Sequence, residues 1–252
     1  MCIRDSKIGV WISGFFGSGK SHFLKILSYL LSNQEVCGKR AIDYFADKFD
    51  DPMMYAQAVK SVSVPTQSIL FNIDIEGPLT KDKTAVLRVF AKMFYNHCGF
   101  YGDDLKIAKL ERFIEKQGKT QQFREAFEKV NGAPWTETRD SFAFFEDDIV
   151  SVLQSTLGMS EQAARNWFNG EETNELSIAQ LVADIQEYVD GKGKDFRLLF
   201  MVDEVGQYIG DDGDLMINLQ SLVEEIGIRC HGKVWVMVTC LLYTSPSPRD
   251  RG

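Results

Sequence analysis

The feature that most constrains this chain is Gly14-Phe15-Phe16-Gly17-Ser18-Gly19-Lys20-Ser21. It lies between a short apolar run, Ile8 to Ile12, and a segment with Phe23, Leu24, Ile26, Leu27, Leu30 and Leu31 at helical spacing. Strand, glycine loop and helix N-terminus in this order make a cradle for phosphate. Glycines let the backbone curl until successive amide N–H groups point inward. The helix start adds unsatisfied amides and the positive end of its dipole. In such a P-loop, Lys20 is placed to reach the β- and γ-phosphates of a nucleotide and Ser21 to ligate Mg²⁺. Gly14, Phe15, Phe16, Gly17, Ser18, Gly19, Lys20, Ser21 and His22 are therefore the candidate nucleotide-binding residues, His22 through its backbone amide alone. The bland reading is a glycine-rich turn before an ordinary helix, and it leaves the full match in this context unexplained.

A second signal lies far downstream. Phe196 to Val202 is continuously apolar, as in a strand buried on both faces of a parallel sheet, and it ends in Asp203-Glu204. An acidic pair after an apolar strand is common by itself and then marks a solvated strand end. Beside a P-loop it reads as the acidic half of an NTPase site. Asp203 would hold the Mg²⁺ shell, and Glu204 is placed to orient and deprotonate the attacking water. A third apolar run, Val234 to Thr239, closes on a hydroxyl that could touch the γ-phosphate or the water. Thr239 is equally explained as a β-branched strand residue. The catalytic candidates are thus Glu204, Lys20 and Thr239, and the metal candidates are Ser21 and Asp203. Glu76, at the end of the run Ser68 to Ile75, is a weaker candidate for the same pocket. Arg229 could stabilise charge, but near a helix end it more often pairs with the dipole.

Between the two signals the chain reads as helical. A short helix is expected from Pro52 to Lys60 and a second strand over Ser68 to Ile75. Apolar periodicity then predicts helices over Thr84 to Tyr95, Leu105 to Glu115, Gln121 to Val130, Phe145 to Leu157, Glu161 to Phe168 and Ser177 to Val189. A loop is expected at Gly210 to Asp214 and a helix at Leu215 to Ile226. Phe142, Phe144, Phe145, Trp167 and Phe168 could form a base-stacking surface, though core packing is the commoner use of such stripes.

The two ends are anomalous. Back-translated, Met1 to Ser6 gives a stretch whose reverse complement encodes Cys240 to Thr244, which unrelated protein segments have no reason to do. Both tails resemble translated sequencing adapter, so residues 1–6 and 240–252 are set aside and the rest is expected to be an open fragment. The expected divisions are 7–79 (P-loop and second strand), 80–194 (helical insertion) and 195–239 (the acidic and third strands). A P-loop strand in sheets of this class is flanked by a further strand encoded later. Ile8 to Ile12 is therefore expected to be an exposed apolar edge, prone to aggregation, and the fragment is expected to be inactive by itself.

The net charge is −8, or −9 once the three arginines and two aspartates of the tails are removed, which argues against a broad nucleic-acid footprint. No apolar run approaches the roughly 18 residues of a membrane span, and no signal-peptide core is present, so the expected location is cytoplasmic with no membrane contact. Cys37, Cys98 and Cys230 show no paired spacing and read as reduced, mostly buried thiols.

The Phe15-Phe16 pair, the Asp43-Tyr44-Phe45 and Asp51-Pro52-Met53 segments, and Val205-Gly206-Gln207-Tyr208 after the acidic pair carry a likeness. From Lys7 to Thr239 the sequence resembles the large P-loop ATPases of bacterial BREX phage-defence systems, the BrxC/PglY type. The resemblance implies an AAA+-related ATPase belonging to a far longer protein that acts with partner BREX proteins against phage DNA. It implies that Gly14, Gly19, Lys20 and Ser21 bind phosphate and Mg²⁺, and that Asp203 and Glu204 complete the site. Arginine-finger and lid residues would lie beyond this sequence, as would contacts to DNA, and a homo-oligomer is compatible with the likeness.

The combined expectation is an α/β P-loop NTPase of the AAA+/ASCE-like kind. Its parallel sheet carries a large helical insertion and is truncated before the last strand. It should bind ATP and Mg²⁺ and hydrolyse ATP. Two alternatives stay open, a DNA translocase or helicase-type motor and a slow regulatory nucleotide switch.

Overall fold

A computed structural model describes residues 9–78, 81–169 and 176–241. Strand β1 (Gly9–Gly14) passes through the glycine loop into α1 (Lys20–Ser32). A small hairpin, β2 (Glu35–Val36) with β3 (Lys39–Arg40), a 3₁₀ stretch over Ala41–Lys48 and α2 (Pro52–Ser61) precede β4 (Thr66–Asn72). Asp51 caps α2 by accepting the Met53 N–H at 2.8 Å, and Pro52 sits in the first turn, where its missing N–H is no loss.

Helices then dominate: α3 (Ile73–Glu76), α4 (Ala85–His97), α5 (Leu105–Lys116), α6 (Thr120–Asn131) and α7 (Trp135–Thr138). A 3₁₀ stretch over Arg139–Phe144 leads to α8 (Glu146–Leu157), α9 (Glu161–Asn169) and α10 (Ile178–Gly191). Strand–helix alternation resumes with β5 (Arg197–Asp203), α11 (Val205–Ile209), α12 (Gly213–Arg229) and β6 (Val234–Leu241). The chain divides into two units, Met1–Val89 with Ser177–Gly252 and Phe90–Leu176, and the boundary falls inside α4.

In the first unit, four strands form one parallel sheet in the order β1-β6-β5-β4. The α/β reading and its parallel sheet are therefore correct. Strand alternation assigns the two faces. Leu199, Met201 and Met237 point to one face, where Leu24 and Leu27 of α1 pack on them with Val10 and Ile12. The Ser28 and Ser68 hydroxyls pair at 2.7 Å on that same face, which satisfies both inside an otherwise apolar contact. Val236 and Val238 point to the other face beside Leu219 and Val223 of α12, and there Tyr188 of α10 donates to Gln67 of β4 at 2.7 Å. Leu198 to Val202 of β5 are buried throughout, as a strand covered on both faces requires.

Strand β1 pairs with β6, and its other side has no strand partner among the described residues. Trp11 stands half exposed on it, in keeping with the expected open edge.

The second unit is helical. Its core joins Ile107, Leu110 and Ile114 of α5 to Phe123 and Phe127 of α6, Trp135, and Ile149, Val152 and Leu153 of α8. Phe123 and Phe127 meet the Trp135 ring edge-on at centroid distances of 5.3 and 5.0 Å. The buried carboxylate of Glu111 is fully occupied. It accepts the Trp135 Nε1–H at 2.7 Å, an Arg139 N–H at 2.9 Å and the Tyr101 amide at 2.5 Å. A buried charge persists only when paired and hydrogen-bonded in this way.

Several local expectations are corrected. The second strand ends at Asn72 instead of Ile75, because the Asn72 side chain accepts the Asp74 and Ile75 amides and starts α3 there. It also begins earlier than expected, at Thr66. The expected loop at Gly210 to Asp214 holds over its first three residues, and α12 starts two residues earlier than expected, at Gly213, where the Asp212 carboxylate caps the amides of Asp214 and Leu215. The third strand does not stop at Thr239 but continues through Cys240 and Leu241. The hairpin of β2 and β3, with two residues on each side, is too short to give a periodic signal.

Phe168 is buried, and Phe142, Phe145 and Trp167 pack against the helical core, so the aromatic stripe is core apart from Phe144, which is exposed. Of the three cysteines expected to be mostly buried, only Cys230 is; Cys37 is exposed and Cys98 is intermediate. Ile8, Thr80, residues 1–6 and residues 242–252 lie outside the described residues.

Two outcomes follow from this packing. Leu24, at 0% exposure in the α1–sheet contact, should lose about 2–5 kcal/mol of stability on Leu24→Ala, by transfer and cavity effects. Ile217→Ser on the exposed side of α12 should stay within about 0.5 kcal/mol, both read from denaturant midpoints. Burial also pushes the Cys230 thiol up to about 12, helped by the nearby Asp190 carboxylate. At pH 8 the reactive thiolate is thus almost absent from Cys230, and iodoacetamide should label Cys37 while leaving Cys230 unmodified until the chain unfolds.

Candidate nucleotide site

The four parallel strands deliver their C-terminal ends to one edge of the sheet, the place where open α/β sheets bind ligands. The register puts Gly14 opposite Leu241, Ile12 opposite Thr239, and Asn72 opposite Asp203. Residues far apart in sequence become neighbours without any long side-chain reach.

The loop after β1 is held by its own backbone. The Ser18 N–H donates to the Phe15 carbonyl at 3.2 Å, and the Phe23 N–H donates to the Gly19 carbonyl at 2.8 Å as α1 begins. Gly17 and Gly19 have φ of +74° and +81°, a left-handed region costly for any residue with a Cβ. At Gly14 the constraint is space, since an added Cβ would come within 2.7 Å of Ser18 Oγ. Lys20 folds back over the loop and its Nζ donates to the Phe15 carbonyl at 2.9 Å.

The acidic half is built at the ends of β5 and β6. Thr239 is buried, and its hydroxyl donates to Asp203 Oδ1 at 2.5 Å while accepting the Glu204 N–H at 2.8 Å. The same Glu204 N–H lies 3.1 Å from Asp203 Oδ1. These bonds hold Glu204 in a left-handed conformation (φ 62°), which costs a non-glycine residue about 1–3 kcal/mol. The kink turns the chain off β5 into α11, and the Glu204 carbonyl accepts the first helical amide there, from Tyr208, at 3.0 Å. The Glu204 carboxylate is engaged as well. Its Oε2 accepts from Asn72 Nδ2 at 2.6 Å.

Both halves face one cavity of about 310 Å³. Phe16, Gly17, Gly19, Lys20, Ser21 and His22 line it from the loop side, Asp203, Glu204 and Thr239 from the strand ends, and Gln207 from α11. Gly14, Phe15 and Ser18 shape the loop without lining the cavity. Glu76 is absent from the lining, because the strand ends earlier, at Asn72, which meets the site through its bond to Glu204 without lining the cavity. Arg229 pairs with Glu225 at 2.5 Å in the last turn of α12, the bland reading of that residue. Sequence reasoning missed Asn72 and Gln207. Gln207 was findable as the residue one helical turn beyond Glu204. Asn72 required the strand end to be placed three residues earlier.

The donor set suits a magnesium nucleotide. One serine hydroxyl and one aspartate face a cavity with room for phosphates, and Mg²⁺ keeps waters and phosphate oxygens as most of its ligands. Among the described residues no group of three or more His, Cys, Asp or Glu side chains could hold a metal by itself. Nor is any helix there long and apolar enough to cross a membrane.

A glycine cradle with its lysine, facing an acidic pair across the end of a parallel sheet, defines a P-loop NTPase domain that binds nucleotide. The sequence matches the KAP family P-loop domain over residues 3–226, and the chain belongs to that family. No solved structure matches the chain.

The Thr239 hydroxyl is the joint between the two acidic residues. Thr239→Val keeps the shape but leaves Asp203 and the Glu204 amide short of a partner, so chemical denaturation should show a loss of about 1–3 kcal/mol. Thr239→Ser should recover most of it.

Proposed function

We propose that this domain binds ATP with Mg²⁺ and hydrolyses it. The observation that carries the reading is the shared cavity, with Lys20 and Ser21 on one wall and Asp203 and Glu204 on the other. Backbone amides of the loop and the α1 N-terminus hold the phosphates, and Lys20 exchanges its bond to the Phe15 carbonyl for phosphate oxygens. Ser21 and Asp203 would hold Mg²⁺, which neutralises phosphate charge and orients the γ-phosphoryl group. Glu204 then takes a proton from the attacking water, with Thr239 fixing the backbone from which it projects.

Lys20→Ala should abolish tight nucleotide binding and turnover together. Glu204→Gln should retain ATP binding while lowering kcat by about 10²–10⁴-fold, the usual contribution of a positioned general base. Unchanged turnover in both variants would refute the reading. The hydrogen bond from Asn72 to Glu204 favours slow basal turnover, so a nucleotide switch that a partner stimulates is a closer second reading than a constitutive motor.

The wider role we propose, as part of a BREX-type phage-defence ATPase acting with partner proteins in the bacterial cytoplasm, rests on the sequence likeness from Lys7 to Thr239. Loss of phage protection on Lys20→Ala in the encoding system is the result it expects. A DNA motor finds less support in a net charge of −8.

A further inference from the structure

Asn72 has two tasks at once. Its Nδ2 donates to Glu204 Oε2 at 2.6 Å, and its Oδ1 accepts the amides of Asp74 and Ile75 at 2.9 and 3.3 Å, which starts α3. The amide group cannot swing away from Glu204 without uncapping α3. Whatever fixes α3 therefore fixes the contact to Glu204.

Two features fix α3 against α11, the helix that begins one residue after Glu204. Gly77 closes α3, its N–H donating to the Ile73 carbonyl at 2.9 Å, and it presses directly on Tyr208. A Cβ at Gly77 would lie 2.7 Å from Tyr208 Cε2, 2.8 Å from its Oη and 2.7 Å from the Ile73 carbonyl oxygen. The Gly77 backbone (φ −73°, ψ 155°) is open to any residue, so the glycine is needed here for closeness, not for conformation.

Lys81 then bridges the two helices. Its Nζ donates to the Tyr208 carbonyl at 3.0 Å, stands 4.0 Å from the Tyr208 ring centroid and lies 3.8 Å from Asp74 Oδ1. Tyr208 is 2% exposed and its buried hydroxyl has no hydrogen-bond partner. Burial, then the Asp74 and Asp82 charges, push that hydroxyl up from its usual range, so the ring meets Lys81 as a neutral phenol.

We propose that Gly77, Tyr208 and Lys81 form a clasp that positions Asn72 against Glu204 and so sets how often the carboxylate is free to act on water. The clasp rests on the hydrolytic reading of the site, and its residues touch neither nucleotide nor water. They act through Asn72. Loosening the clasp releases Glu204, and tightening it holds the domain in its slow state.

The test uses the full chain with Lys81→Met, which keeps the stem and removes the charge, and with Gly77→Ala, which forces Tyr208 and α3 apart. Each variant is made with Asn72 and again with Asn72→Ala. With Asn72 present, both should raise basal kcat for MgATP by about threefold to tenfold, leave KM unchanged and speed amide exchange at Asp74 and Ile75. In the Asn72→Ala background neither should change kcat further, because the residue they act through is gone. Equal effects in the two backgrounds, or no change in Asp74 and Ile75 exchange, would overturn the clasp. A wild-type chain that binds no MgATP would end the hydrolytic reading alone, whereas one that binds it without turnover shows the inactivity expected of this stretch by itself. The exchange measurement then still decides the clasp, which stands if Lys81→Met speeds exchange at those amides and falls if it does not.

Discussion

The site depends on the register of one parallel sheet. A slip of one residue in β6 would turn Thr239 to the opposite face and separate its hydroxyl from Asp203 and the Glu204 amide. A comparable slip in β4 would carry Asn72 away from Glu204. Register is pinned by burial on both faces, by α1 on Leu199, Met201 and Met237 and by α12 beside Val236 and Val238. The apolar core thus positions the candidate site directly, because Asn72 and Asp203 end β4 and β5 and Thr239 lies two residues before the end of β6, in strands whose preceding residues are locked by packing.

The strain at Glu204 belongs to the same design. Its left-handed backbone is the means by which a carboxylate at a strand end faces the cavity while the chain turns at once into α11. Thr239 and Asp203 hold the strained amide, so three residues on two strands behave as one unit. Thr239 therefore has a structural task whether or not it also meets a phosphate. Its hydroxyl joins the ends of two strands, a task that neither reading of its sequence position, a β-branched strand residue or a polar tip at the phosphate, had included.

Much of the site was legible in the sequence because its parts carry local signatures. The glycine loop is a contiguous motif whose left-handed turns at Gly17 and Gly19 follow from residue type. Asp203-Glu204 is marked by the apolar strand before it, and the parallel sheet by strands apolar along their whole length. Asn72 was not legible, since its importance comes from pairing opposite Asp203 across more than a hundred residues of intervening chain. Its side chain also cut β4 short through a local cap that competes with strand periodicity. That shift made Glu76 look like the strand-end residue. The helical region was read well in helix positions, because amphipathic spacing is local. The occupied Glu111 carboxylate at its centre was not foreseen, since its partners Trp135 and Arg139 come from other elements.

The central claim is that the glycine loop and the Asp203-Glu204 pair form a single hydrolytic site. A crystal structure of the chain with Mg²⁺, ADP and aluminium fluoride tests it most directly. The account predicts phosphates in the cradle from Gly14 to Ser21, the metal between Ser21 and Asp203, and the Glu204 carboxylate parted from Asn72 and facing the fluoride. Nucleotide bound outside this cavity, or bound within it with Asp203 and Glu204 remote from metal and fluoride, would contradict it.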